Sequence, residues 1–347
     1  MSEHLHTELI SILVCSRGRR SDLEQLVLTL RNMDTHYLTE VVVVEETDNP
    51  HPLTGVRYVS HPIANRGIPY ARNIAVANAS GNLVAFLDDD CVISNGWLNH
   101  LLEPFEHPSV VGVQGGVSVP ESSGAVGWAE SILGFPGGGI RRVCQARSKP
   151  QDTTEISTLN CAYRKWVFDR VGVFDESLRH GGEDYLFAKK ACAQGRCVFV
   201  PDAMVFHHPR GNLVNVFLWF YRRGRAEFGL ARTGWRNKEF ISYWFRSSLL
   251  LKIFLLFLLG SLVSAKSMTL CAGLVLYYVT TFLRYRRSCE GYGVPFAAFL
   301  ILPLVKLVMD LAIDFGRFSC LFIMLVSKKK DFIGQSNSSP LRKEDKD

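Results

Sequence analysis

Apolar positions fall into two kinds of run along this chain, and the change from one to the other divides it in two. In the first part the runs are short and continuous: residues 9–15 (LISILVC), 40–44 (EVVVV), 56–59 and 83–87 (LVAFL). Unbroken apolar runs of this length, bounded by turns, are the pattern of strands buried on both faces. Between them the apolar residues keep helical spacing, at Leu23, Leu26, Val27 and Leu30 and again over residues 68–79, which Ser80 and Gly81 close. Ser21 followed by Glu24 matches a capping box, so the first helix is predicted to open at Ser21. Strands alternating with helices in this way predict an α/β fold, a mainly parallel sheet flanked by helices. Further along, strands are predicted over residues 110–119, 156–163, 196–200 and 203–207, and helices over 94–106 and 185–193. Residues 134–139 (GFPGGG) form a glycine-rich loop, read either as a flap that closes over a substrate or as a plain linker.

From residue 247 the runs become long. Residues 247–283 are interrupted only by Lys252 and Lys266, and are predicted to form two helices turning near 264–267, each near the minimum length for a membrane span. The second long run, 294–326, carries Lys306, Asp310, Asp314 and Arg317 at spacings of four, four and three, so on a helix they share one face and can pair. That face must meet protein, water or headgroups rather than bare lipid. Residues 211–230 are amphipathic, with Phe217, Trp219, Phe220 and Tyr221 among arginines, and suit an anionic membrane surface. Basic residues cluster before the first run (Arg222, Arg223, Arg225, Arg232, Arg236, Lys238, Arg246) and after it (residues 284–287, RYRR), which places both sides in the cytosol and makes 247–283 a hairpin. Lys328, Lys329 and Lys330 favour a cytosolic end for the second run too, as a hairpin or re-entrant segment; a single span with an external tail is the alternative. The expected organisation is therefore an α/β domain over 1–210, an interfacial connector over 211–246, a helical membrane region over 247–327, and a disordered polar tail over 328–347. This describes a multi-pass protein of the cell membrane.

Composition changes this picture little. The only early apolar run, 9–15, follows Glu3, His4 and His6 and is too short for the core of a secretory signal, so the first domain is expected to face the cytosol. Nine cysteines without a CxxC pair fit reduced thiols in the same compartment. The net charge of +6 is modest, and no nucleic-acid partner is expected.

The candidate chemistry sits where the fourth strand ends, in Asp88, Asp89 and Asp90. Three adjacent carboxylates repel and raise one another's pKa unless a cation or donors hold them. Asp88 and Asp90 point the same way on an extended chain, and hard oxygen ligands suit Mg2+ or Mn2+. A solvated acidic turn capping the helix over 94–106 is the other reading. Ser16, Glu45, Glu46 and the three aspartates all lie at carboxyl ends of predicted strands, where open α/β sheets bind ligands, and should converge on one crevice.

These residues carry a resemblance. Residues 10–19 (ISILVCSRGR), 41–46 (VVVVEE), 65–90 (NRGIPYARNIAVANASGNLVAFLDDD), 160–176 (NCAYRKWVFDRVGVFDE), 181–184 (GGED) and 205–209 (VFHHP), in this order, resemble glycosyltransferase family 2 enzymes of the GT-A fold with C-terminal membrane helices. The resemblance implies a Rossmann-like nucleotide-binding half and inverting transfer from a nucleoside-diphosphate sugar, a UDP-sugar before others, to an acceptor hydroxyl on a lipid-linked or membrane-associated glycan. It implies nucleotide-sugar contacts from Ser16, Arg17, Glu45, Glu46, Asn65, Gly67, Arg72, Asn73, Asp88 and Asp89. Asp90, Asp88 and His207 would hold the metal. Asp184 would be the general base, with Glu183 raising its pKa. The chain departs from the pattern where relatives more often carry Asp in place of Glu45 and Glu46. It also carries Leu186 where many relatives have a further Asp, and it lacks the Gln-x-x-Arg-Trp segment of processive synthases. One sugar per encounter is therefore expected. A non-catalytic membrane scaffold that retains the nucleotide-binding fold is the competing reading.

Overall fold

The computed structural model describes residues 8–179, 181–233, 237–264, 267–289 and 291–336. Its first half is built on β1 (Leu9–Ser16), β2 (Leu38–Glu46), β3 (Arg57–His61) and β4 (Leu83–Asp88), all parallel, in spatial order β3-β2-β1-β4. The strand order reverses direction between β1 and β4, which opens a crevice at their carboxyl ends. There Ser16 is in register with Glu45, and Cys15 with Asp88. Helix α1 (Arg20–Arg31) covers one face through Leu23, Leu26, Val27 and Leu30, all buried as its periodicity required. Helix α2 (Ile68–Ala77) covers the other. Fully burying one such leucine contributes about 1.5–3 kcal/mol.

The second half makes the sheet mixed rather than parallel throughout. β8 (Asn160–Arg164) runs antiparallel to β4 and to β6 (Val110–Ser118), while β6 runs parallel to β9 (Arg196–His207). The two strands expected over 196–200 and 203–207 are this one strand, whose pairing with β6 shifts register at Gly115. Residues 156–159 turn instead of extending β8. A short strand β5 (Cys91–Ile93) follows the acidic triplet and pairs with the end of β9. The helix expected over 94–106 therefore shrinks to α3 (Trp97–Leu102) and a single turn at Glu103–Glu106, where Pro104 lacks the N–H that an α-helix would need. Trp97 is fully buried and donates to Asn160 Oδ1 at 2.8 Å, and the Asn160 amide donates to the Gly116 and Ala203 carbonyls at 2.8 Å. One side chain thus pins β8 between its neighbours. The capping box does not form: α1 begins at Arg20, and Glu24 accepts from Arg20 at 2.7 Å.

Two helices that the pattern did not give, α4 (Ala125–Ile132) and α5 (Gly139–Ala146), flank the glycine-rich loop. The loop is packed rather than free, with Phe135 edge-on to Phe220 at 4.8 Å. After α6 (Trp166–Val171), helix α7 (Glu183–Ala191) starts two residues before its predicted start, so both acids lie in its first turn.

Beyond the sheet come α8 (Leu213–Thr233), α9 (Asn237–Arg246), α10 (Leu249–Ser264), α11 (Ser267–Ser288) and α12 (Phe296–Ser336). Helix α10 ends at Ser264 and α11 begins at Ser267, at the expected limits, and residues 265 and 266 lie outside the described residues. Helix α8 buries one face through Val216, Phe220, Ala226 and Leu230, and crosses α12 where Gly224 and Gly316 meet. A Cβ at either glycine would collide with the other helix's backbone. The charges of α12 pair as their spacing required, Lys306 with Asp310 and Arg317 with Asp314. Part of the expected tail, residues 328–336, continues α12, and 337–347 lie outside the described residues.

Among the described residues one helix is long and apolar enough to cross a membrane, Phe296–Met324, 29 residues with a mean hydropathy of 2.2. Helix α10, at 16 residues, would extend only about 24 Å against a hydrocarbon core of about 30 Å. The paired spans expected over 247–283 are accordingly not supported.

Candidate active site at the strand ends

The acidic triplet meets His207 because of β5. Cys91 pairs with His207 across β5 and β9, so the residue before it, Asp90, is delivered to the imidazole, with Nε2 to Oδ1 at 3.3 Å. Asp88 ends β4 beside them, and one ligand atom from each of Asp88, Asp90 and His207 lies within 4.8 Å of the others. Asp89 and Asp90 are buried, and burial pushes each carboxyl up to about 6; the neighbouring Asp88 charge raises Asp90 further, and Arg19 opposes. Burial drives His207 down to about 4, which leaves it neutral, and its Nδ1 has no hydrogen-bond partner. Two carboxylates and a neutral imidazole form a donor set that suits a divalent cation.

The residue that holds this cluster together was not singled out by the sequence. Arg19, in the turn after β1, forms an ion pair with Asp89 (Nη2 to Oδ1 at 2.6 Å), donates from Nε to Asp89 Oδ2 at 3.3 Å, and also binds Asp90. The arginine-rich stretch 17–20 was the available signal, but it does not say which arginine turns inward. Arg20 binds Glu45 at 2.9 Å, and the Tyr58 hydroxyl donates to the same carboxylate at 2.6 Å. Arg17 pairs with Glu46 at 3.3 Å and donates to Asn65 Oδ1 at 3.0 Å. Glu46 also accepts from the backbone N–H groups of Ala64 and Asn65, at 3.2 and 3.3 Å. Ser16, Arg17, Glu45, Glu46 and Asn65 therefore do gather at the ends of β1 and β2. Both glutamates are buried and engaged rather than solvated.

Two expected ligand contacts are engaged elsewhere. Arg72 is buried and binds Glu183, with a second nitrogen 3.5 Å from Asp88. Its fork lies between these two carboxylates. Asn73 donates to the Phe174 carbonyl at 3.0 Å and to Glu176 at 2.9 Å, and accepts from the Phe174 N–H at 3.0 Å, so it fastens the loop before α7. Gly67 starts α2 at φ +86°, where a Cβ would meet the Arg179 backbone at 2.8 Å. Its role is this close approach to the same loop.

The two acids of α7 have different surroundings. Glu183 is buried; burial and the adjacent Asp184 charge push it up to about 7, against the pull of Arg72. Asp184 is half-buried and accepts from the Tyr185 N–H at 2.8 Å. Arg72 touches both Asp88 and Glu183, so the aspartate cluster and the start of α7 are one guanidinium apart.

This fold and site define an α/β protein with an acidic cluster in a nucleotide-type crevice. The sequence profile of Glycosyl transferase family 2 matches residues 11–172. Succinoglycan biosynthesis protein ExoM of Rhizobium meliloti (strain 1021) is 30% identical over 224 residues, 60% of this chain and 68% of that protein. Pre-mycofactocin glycosyltransferase of Mycobacterium tuberculosis (strain CDC 1551 / Oshkosh) is 29% identical over 209 residues, 59% of this chain and 43% of that protein. Among solved structures, the mannosyltransferase PcManGT of Pyrobaculum calidifontis, in complex with GDP-Man and Mn2+, has a similar fold, with a TM-score of 0.58, 20% identity and 88% of each chain covered. The chain belongs to glycosyl transferase family 2.

Proposed function

We propose that this protein is a membrane-seated, metal-dependent, inverting glycosyltransferase. It takes a sugar from a nucleoside-diphosphate donor, a UDP-sugar first, to a hydroxyl on a lipid-linked or membrane-associated glycan. The observation that carries this reading is the link through Arg72 from Asp88 to Glu183, which joins a cation site to a carboxylate at the start of α7. A bound Mg2+ or Mn2+ on Asp88, Asp90 and His207 would neutralise charge on the diphosphate. Asp184 takes the proton of the acceptor hydroxyl as that oxygen forms its bond to C1. The bond from C1 to the diphosphate oxygen breaks on the opposite face, and the nucleoside diphosphate leaves with the electron pair. The half-buried position of Asp184 supports its role over that of Glu183, which is buried against Arg72 and supports the turn from behind. Glu45, Glu46, Arg17 and Asn65 would line the nucleoside end. The apolar helix Phe296–Met324 supports membrane seating; a catalytic domain on the cytosolic side would keep donor and enzyme in one compartment.

The test is Asp184→Asn in detergent-purified full-length protein, assayed for release of nucleoside diphosphate from UDP-glucose and GDP-mannose. Transfer should fall by at least about a hundredfold, the scale of general-base catalysis, while Mn2+-dependent stabilisation by UDP persists. Transfer at the wild-type rate would remove the base assignment. A wild-type protein that binds UDP and never turns over a donor would instead point to a non-catalytic scaffold.

A further inference from the structure

The turn that carries Asp184 does not rest on the sheet alone. Gly182 precedes α7 at φ +98°, and a Cβ built on it would touch Leu230 of α8 at 3.4 Å; one on Gly181 would touch Ala226 at 3.8 Å. Ala226 and Leu230 are one helical turn apart and lie beside the turn, next to the space a Cβ on either glycine would fill. Beside Ala226, Glu227 reaches the opposite way, into α12. There Arg317 is fully buried and donates from Nε to Glu227 Oε2 at 3.0 Å, with a second nitrogen on the same oxygen. Its remaining nitrogen donates to Asp314 Oδ1 at 2.9 Å and to Ser247 Oγ at 2.7 Å. The other Glu227 oxygen accepts from the Tyr243 hydroxyl at 3.2 Å and faces Arg223 at 3.4 Å. Asp314 is completed by Trp244 Nε1 at 2.9 Å and Ser248 Oγ at 2.8 Å. A network tied at this many points favours one arrangement, because the Arg317 guanidinium at its centre is buried away from water.

We infer that Glu227 and Arg317 are a positioning pair, which fixes α8 against the membrane helix so that Ala226 and Leu230 hold the Gly181–Gly182 turn and thereby Asp184. The inference rests on the reading of Asp184 as the base. Glu227 and Arg317 set where α8 lies along α12, as two charge-assisted N–H donors on one carboxylate oxygen do and a greasy contact does not. The Gly224 and Gly316 crossing sets the distance between the two helices, and the ion pair sets their register. Seating of the membrane helix is in this way transmitted to the acceptor side of the catalytic crevice, some way from the cation site.

The test is hydrogen–deuterium exchange on full-length protein in lipid nanodiscs, comparing wild type, Glu227→Gln and Leu230→Ala. The reporter is the peptide spanning residues 181–191, where the Leu186 N–H donates to the Gly182 carbonyl at 3.1 Å; the reference is the peptide spanning β1. Both variants should exchange about tenfold faster at the reporter, as a local opening does, with the reference unchanged and the Mn2+-dependent UDP stabilisation retained. Wild-type exchange at the reporter in Glu227→Gln overturns the inference, even if Leu230→Ala accelerates it. Acceleration of reporter and reference together in Glu227→Gln overturns it as well, because the pair would then serve global stability. An Asp184→Asn enzyme that still transfers sugar would sink the base assignment while leaving this exchange result intact, so the two failures are distinguishable.

Discussion

Arg19 lies on Asp90, the same carboxylate that faces His207 at 3.3 Å. The arginine thus offers a charge to the cluster that a divalent cation would also use, and the two compete for one carboxylate. A cation held there would displace the guanidinium toward the mouth of the crevice, next to where a diphosphate would lie. Replacing Arg19 by Ala should therefore have opposite effects on the two ligands. Mn2+ alone should bind more tightly, by about tenfold for the loss of one charge-assisted contact. The donor KM should rise. Calorimetric titration with Mn2+ and donor kinetics on the same preparation check both directions, and a fall in Mn2+ affinity would show that Arg19 orders the site instead of competing for it.

Asp90→Asn and His207→Ala address the cation site itself. The first removes the charge of one of the three ligands grouped within 4.8 Å, and the second removes a ligand atom. Stabilisation of the protein by UDP follows RT ln(1 + [L]/Kd) and should lose its Mn2+ dependence in Asp90→Asn. In His207→Ala it should be weakened by about ten- to a hundredfold in Mn2+ requirement, the range for losing one contributor to a metal site. Thermal melts across an Mn2+ series, with EDTA as baseline, read this directly. Retained Mn2+ dependence in Asp90→Asn would return the triplet to the solvated-turn reading.

The parallel half of the sheet and the acids at its edge were legible because they depend on local pattern. Short continuous apolar runs bounded by turns are the pattern of strands buried on both faces, and Asp88, Asp89 and Asp90 end one of them. The pairing of Arg17 with Glu46, the lock of Arg19 on the triplet, and the assignment of Arg72 to Glu183 were not legible. Every one of these joins residues far apart in sequence, and the arginines in 17–20 look alike until the fold gives each a different carboxylate. β5 escaped notice for a related reason: three residues carry no periodicity, and only pairing with β9 makes them a strand. Helix α8 misled in the opposite direction. Its aromatic and basic residues read as a membrane-surface pattern, whereas Gly224, which carries no side chain, marks the face that packs on α12.

Glu183 should give the protein a measurable pH signature. Its carboxyl is held at about 7 in the fold, raised first by burial and then by Asp184, from an ordinary value of 4.5. Between those values the folded state keeps a proton that the unfolded chain has released. The folded state binds more protons, so stability attributable to this group falls as pH rises from 4.5 to 7 and is constant above it. Glu183→Gln lacks this dependence. The difference in melting temperature, wild type minus variant, should shrink between pH 5 and pH 7 and then level off. A difference that stays flat over this window would mean that Arg72 holds the carboxyl ionised throughout.

The crossing of α8 and α12 makes the last prediction, and it concerns size alone. Gly224 and Gly316 face each other so closely that a Cβ on Gly316 would meet the Tyr221 carbonyl, and one on Gly224 the Ile313 carbonyl. Backbone atoms cannot step aside as side-chain ends do, so Gly316→Leu must push the helices apart. Separation would draw Arg317 away from Glu227 and leave both charges buried, a loss on the order of 3–5 kcal/mol when one partner of a buried pair is withdrawn. A domain of this size would lower its melting temperature by several degrees per kcal/mol, about 2–4 °C each. Gly316→Ala should cost less than leucine and more than Gly229→Ala on α8, where a Cβ meets nothing within 4 Å. Melting curves of the three variants in one detergent give the order, and equal effects at Gly316 and Gly229 would mean that helix propensity, not the crossing, governs this part of the molecule.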